Sequence, residues 1–189
     1  MAEVFVETGR LVLRRFEAGD ADLVTGLDSD PEVMRFLTGG RPTPREQVAA
    51  TVLPRMIASY DRYDGYGIWA AEERASGAFA GWFHLRPPSE APDGALEVLE
   101  LGYRLRRAVW GRGYATEGSL ALVATAFADP RVHRVIARTM AVNSASRRVM
   151  EKAGLRFARS YHESWTDPIP GAEHGEVEYA LDRADLPTL

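Results

Sequence analysis

The chain has 189 residues, with 23 Lys and Arg against 27 Asp and Glu, a formal charge of −4. That length fits one domain over residues 1–189, large enough to bury a core without staples. The lack of cysteine excludes a disulfide framework, a Cys-ligated zinc site and a thiol nucleophile, and no apolar run of ~18 residues would span a membrane.

Residues 10–16 (RLVLRRF) begin with period-two alternation and are expected as a strand. Asp20 is expected to cap a short helix through Leu27. Asp30 and Pro31 supply an N-cap and a first-position proline for a second helix with Val33, Met34 and Leu37 on one side. Thr43-Pro44-Arg45-Glu46 reads as a capping box. The helix it opens carries Val48, Val52 and Met56, and Pro54 is expected to kink or break it.

Residues 66–71 and 78–85 read as a hairpin closed by the polar turn EERASG, and RPPSEAPDG (86–94) as a surface loop. A strand is expected over 95–105. A helix with Thr116, Leu120, Val123 and Phe127 at helical spacing follows, ended by Asp129-Pro130. Residues 134–140 are a strand rich in branched side chains. Asn143 or Ser144 caps a helix to Ala153, and Gly154 stands where a left-handed residue closes it. Strands at 156–161 and 176–181 complete an α/β pattern, a mixed sheet with helices on its faces.

Charge is unevenly distributed. Residues 101–159 hold twelve Arg and Lys and three acids, inside an otherwise acidic chain. A basic middle of this kind suits an anionic ligand, or forms a solvated face. Within it, residues 100–118 (ELGYRLRRAVWGRGYATEG) join a strand to a glycine turn and a helix start. Gly111 and Gly113 let backbone approach a ligand, and the helix beginning near Tyr114 offers free N–H groups to an anion. Arg104, Arg106, Arg107 and Arg112 surround the turn, with reach for phosphates. The segment is neither a Walker A loop nor a dinucleotide fingerprint, since Thr116 replaces the third glycine. No His/Asp/Glu cluster has metal-ligand spacing, so no metal is implied.

The same segment resembles the acetyl-coenzyme A motif of the GNAT N-acetyltransferase superfamily, Q/R-x-x-G-x-G/A. Trp110 stands at the Q/R position, and Gly113 and Ala115 at the small positions. The opening ETGRLVLRRFEAGDADL, the segment DPEVMRFL and the closing NSASRRVMEKAGLRF are similar to the RimJ/RimL-like branch, so the resemblance covers nearly the whole chain. It implies a GNAT fold: a mixed, mostly antiparallel sheet with splayed central strands and helices on both faces.

It also implies acetyl-coenzyme A as cosubstrate and a primary amine as acceptor, a protein N-terminus or a small molecule. The cofactor-binding residues it implies are Leu101, Gly102, Tyr103, Arg104, Leu105, Arg106, Trp110, Gly111, Arg112, Gly113, Tyr114, Ala115, Thr116, Asn143 and Ser146. Unpaired amides near 101–104 would hold the thioester carbonyl. The amine would attack directly, and it must be neutral to do so: an α-amine of pKa ~7.8 is about 14% neutral at pH 7. Glu100 is the chosen proton acceptor, with Glu97 and Glu178 in reserve; a solvent-facing strand glutamate is the plain alternative. Ser146 would protonate the leaving thiolate and Asn143 contact the pantetheine arm, although both residue types also cap helices. His84, Trp69, Trp82 and Trp165 either shape the acceptor cleft or pack elsewhere.

A cytoplasmic location is expected, because MAEVFVETGR lacks the basic and apolar regions of a secretory signal. The oligomeric state stays open, a homodimer included. Two other readings remain: a silent acyl-coenzyme A sensor, and a nucleic-acid binder using the basic middle.

Overall fold

The computed structural model describes residues 2–186. Its sheet has eight strands in the order β1-β2-β3-β4-β5-β6-β8-β7. They are β1 (Val4–Glu7), β2 (Leu11–Arg15), β3 (Gly67–Glu73), β4 (Phe79–Arg86), β5 (Val98–Leu105), β6 (Arg134–Met140), β7 (Arg156–Tyr161) and β8 (Glu176–Asp182). Every neighbouring pair is antiparallel except β5 and β6.

That parallel pair is short. Val98, Leu99 and Glu100 lie opposite Arg134, Val135 and Ile136, and pairing stops there. Both strands continue, β5 to Leu105 and β6 to Met140, so they part beyond Glu100. This is the splay that the family resemblance implied.

Two layers of helix cover the sheet. α1 (Ala21–Asp28), α2 (Pro31–Thr38), α3 (Arg45–Gln47) and α4 (Leu53–Arg62) lie on one face, where Val24, Leu27, Val48 and Met56 pack with Ala70 and Trp82. α5 (Tyr114–Ala128) and α6 (Ser144–Lys152) lie on the other, where Leu122, Ala126 and Met150 pack with Phe83, Leu101 and Val135. Strand alternation divides the cores: Trp69 is buried toward one helix layer and Ala70 toward the other.

Several local expectations need correction. β1 was not anticipated, and the strand expected from residue 95 begins at Val98, because Ala95 closes a turn onto Pro92. Asp20 stands before α1, but its carboxylate binds Arg14 and the Glu17 amide instead of capping that helix. Thr43 caps nothing; its hydroxyl donates to Asp28 Oδ2 at 3.1 Å.

Pro54 does not end its helix. A π-helical turn at Val48–Val52 joins α3 to α4, and the Leu53 amide donates to Val48, five residues back. A wider turn accommodates the N–H that proline lacks. In α5 the buried stripe is Gly118, Ser119, Leu122, Val123 and Ala126, whereas Leu120 is 48% exposed. α6 follows its reading closely: Asn143 Oδ1 accepts from the Ser146 amide, and Gly154 has φ +94°.

No helix among the described residues is long and apolar enough to cross a membrane. No group of three His, Cys, Asp or Glu among them could hold a metal.

Candidate active site

A cleft of about 970 Å³ opens where β5 and β6 part. Its wall takes in Glu100, Leu101, Gly102, Tyr103, Arg104, Leu105, Trp110, Gly111, Gly113, Tyr114, Ala115, Thr116, Asn143 and Ser146. The structure thus brings together fourteen of the sixteen residues read above as Glu100 and the cofactor-binding set, leaving Arg106 and Arg112 outside. Arg106 is exposed beyond the end of β5. Arg112 points away, 3.5 Å from Glu73.

The main chain of β5 explains what the opening offers. The Arg106 amide donates to Ala80 on β4, while Glu97 O accepts from His133, just before β6, and from Arg134, its first residue. Peptide groups alternate along a strand, so even-numbered positions serve β4 and odd-numbered ones face β6. Past the parting, the Tyr103 and Leu105 amides face the gap with no strand opposite. The Leu105 carbonyl accepts from Trp110 Nε1 at 2.8 Å, which makes Trp110 a brace for the glycine turn.

That turn leads into α5. Gly111 and Gly113 have φ +75° and +82°, a region costly for residues with a Cβ. Gly113 is the N-cap, and no side chain caps the helix. The amides of Tyr114, Ala115 and Thr116 therefore have no intrahelical acceptor and open on the cleft. Arg10 holds this turn: it donates to Arg112 O at 2.8 Å, pairs with Glu117 at 2.6 Å and lies 4.8 Å over the Tyr114 ring. The sequence reading missed Arg10, which lies about a hundred residues from its partners.

Side chains of β5 divide the cleft into two sides. Toward α6, the Tyr103 hydroxyl meets Ser146 Oγ at 3.0 Å, and burial raises the phenol to about 12. Asn143 is committed at both ends of its amide, accepting from Ser146 N and donating to Thr139 Oγ1 at 3.1 Å. Capping is therefore its shown role.

Toward α1 and α2 stand Glu100, Gly102 and Arg104. Gly102 faces His84 of β4 so closely that a Cβ would lie 2.5 Å from the imidazole. His84 lines the cleft, and its buried Nε2 has no partner among the described residues. Burial, with Arg86 and Arg104 nearby, lowers it to about 3, so it is neutral at physiological pH. Arg104 is unavailable to a phosphate: it binds the buried Asp28 and lies 5.0 Å over Trp82.

Glu100 is partly buried, with Arg86 3.7 Å away. Burial raises its carboxyl above the ordinary value, against the pull of Arg86 and Arg138. The reserves do not fit. Glu97 is exposed outside the cleft, and Glu178 is clamped by Arg138 and Arg159 at 2.9 Å, which lowers its carboxyl overall. Trp82 and Trp165 line the cleft, whereas Trp69 is fully buried against Phe5 at 3.9 Å.

Much of the basic middle is paired, while Arg148 and Lys152 line the cleft without an acidic partner among the described residues. Arg104, Arg107, Arg131, Arg134, Arg138 and Arg159 pair with acids drawn largely from the acidic ends. These pairs interrupt the basic run that the sequence presents as continuous.

The family profile described as acetyltransferase (GNAT) domain matches residues 10–156. The FsC-acetyl coenzyme A-N(2)-transacetylase of Aspergillus fumigatus is 34% identical over 187 residues, covering 97% of this chain and 78% of that one. A GNAT-family acetyltransferase from Bacillus anthracis superposes with a TM-score of 0.76 at 24% identity, covering 96% and 99%. RimL, the ribosomal L7/L12 alpha-N-protein acetyltransferase in complex with coenzyme A, superposes with a TM-score of 0.78 at 16% identity, covering 95% and 98%.

Proposed function

The chain belongs to the GNAT acetyltransferase family, and from that premise we propose that it transfers an acetyl group from acetyl-coenzyme A to a primary amine by direct attack in a ternary complex. The observation that carries the proposal is the continuity of the opening between β5 and β6 with the uncapped start of α5 in one cleft. One end offers amides to a diphosphate. The other offers amides to a thioester carbonyl.

When bound, acetyl-coenzyme A supplies an activated acyl group and a thiolate leaving group. The Tyr114, Ala115 and Thr116 amides would grip the diphosphate, with Arg10 holding the turn that presents them. The Tyr103 amide faces the gap and would stabilise negative charge developing on the carbonyl oxygen. Glu100 would accept the amine's proton through water, and a carboxyl raised by burial is better matched to that task than an ordinary one. Ser146, in contact with Tyr103, would return a proton to the thiolate.

The acceptor is a small amine or a peptide N-terminus; the RimL neighbour is named for alpha-N-protein acetylation and the Aspergillus relative for N(2)-transacetylation. The test is free-thiol release from acetyl-coenzyme A with a panel of amines and short peptides. Turnover that falls ~10²-fold or more in E100Q while coenzyme A affinity holds supports the reading. Cofactor binding with no turnover on any acceptor would favour a sensor instead.

A further inference from the structure

One acidic group in the cleft has no place in that chemistry. Glu176 begins β8, directly opposite Met140 at the end of β6. Val177 and Tyr179 point into the core shared with α6, so Glu176 faces the other side of the sheet, and it lines the cleft. The residue is 6% exposed, and its buried Oε1 has no hydrogen-bond partner among the described residues.

The neighbouring cation does not serve it. Arg138, two residues back on β6, is held by Glu178 at 2.9 Å and by Glu90. The nearby charge is instead another carboxylate, Glu163, from the segment between β7 and β8, which also lines the cleft. A buried carboxylate without a counter-charge is costly. Protonation relieves that cost, and so does a cation; the described residues supply no cation to Glu176, and the cleft it lines is where a ligand brings one.

Position decides which part of the ligand it is. Tyr103 lies three residues past the parting on β5 and Met140, opposite Glu176, four past it on β6, so the two stand nearly level along the strands; the widened gap and β6 lie between them, at least two strand spacings or roughly 10 Å at ~4.8 Å each. That is too far for a group acting on the attacked carbonyl if the Tyr103 amide holds it.

We propose that Glu176, with Glu163 beside it, is a subsite for a second cationic group of the acceptor, and that the preferred acceptors are amines carrying another ammonium or guanidinium roughly 10–15 Å from the nitrogen that is acetylated. The proposal rests on the acetyl-transfer reading above for the place of the reacting nitrogen. It specifies acceptor selection and adds no chemical step.

The probe pair is decane-1,10-diamine and 10-aminodecan-1-ol, equal in length and differing in the far charge. In the parent protein the diamine should have a KM about tenfold lower at similar kcat, as a hydrogen bond to a buried charge supports. E176Q should bring the ratio of the two KM values close to one, and E163Q should reduce it less. Equal KM values in the parent, or a ratio unchanged in E176Q, would overturn the subsite. If neither amine is acetylated, the transfer reading fails for these acceptors. Calorimetric titration of the diamine into the protein–coenzyme A complex then decides the subsite alone: heat that E176Q abolishes supports it, and no heat refutes it.

Discussion

The Tyr103 hydroxyl stands 3.0 Å from Ser146 Oγ, linking the strand at the opening to the first turn of α6. The phenol also donates to the Ser146 carbonyl at 3.2 Å. With the single phenol proton on that carbonyl, Ser146 Oγ donates in the 3.0 Å contact, so the tyrosine fixes where the serine sits and the serine must turn its proton from Tyr103 to the thiolate. S146A should lower kcat by about 10²-fold with little change in KM, the scale expected for loss of a positioned proton donor. Y103F keeps the serine and should cost about tenfold or less. Steady-state thiol release checks both, and a kcat unchanged in S146A would remove the serine from the chemistry.

Gly113 combines a left-handed backbone with the capping position of α5. A Cβ there would also meet Arg10 Nη2 at 3.3 Å. G113A should cost about 1–2 kcal/mol of stability from the backbone alone. Because the strain falls where the α5 amides are aimed, coenzyme A affinity should drop about tenfold more than the small stability loss explains. Thermal unfolding and calorimetric titration of the same variant separate the two effects.

Arg104 was read from sequence as a phosphate ligand, but it is a buried structural charge. Asp28 is 2% exposed and receives both its guanidinium and the Thr43 hydroxyl. Removing the acid leaves a guanidinium uncompensated beneath the cleft, so D28A should destabilise by about 3–5 kcal/mol. Adding R104M should recover a substantial part of that loss. Urea unfolding of the single and double variants measures it, and a D28A cost under ~1 kcal/mol would mean that the pair is dispensable.

What the sequence revealed follows from the range of the interactions involved. The glycine turn, the Asp30 and Asn143 caps and the β3–β4 hairpin are set by residues a few positions apart, so local spacing exposed them. The Arg10 contact with α5, the Arg104–Asp28 pair and the approach of His84 to Gly102 join residues far apart in the chain. They exist only once strand order and register are known. The same limit misassigned the arginines: a run of basic residues looks like an anion site until the acids of other segments fold against it. His84 was the most recoverable, because correct pairing of β4 with β5 places it opposite a glycine.

Glu176 also makes a prediction about stability. Burial and the Glu163 charge push its carboxyl up to about 7 from an ordinary value of 4.5. The other groups facing it do not relieve this: Met140 is apolar, Arg138 is engaged by Glu178 and Glu90, and the nearby Tyr161 phenol is itself raised. In the window between those two values the native state holds a proton that the unfolded state has released. The contribution of Glu176 to stability therefore falls as pH rises from about 4.5 to 7, by about 3 kcal/mol if the whole shift is realised. E176Q cannot ionise and should lose that slope, ending more stable than the parent at pH 8 and comparable to it at pH 4.5. Saturating decane-1,10-diamine should restore the parent at pH 8, because a cation beside the carboxylate removes the reason for the cost, and should leave E176Q unchanged. Chemical unfolding of both proteins at the two pH values, with and without the diamine, measures these effects, and a parent whose pH profile matches that of E176Q across this range would mean that the carboxyl is better solvated than its burial suggests.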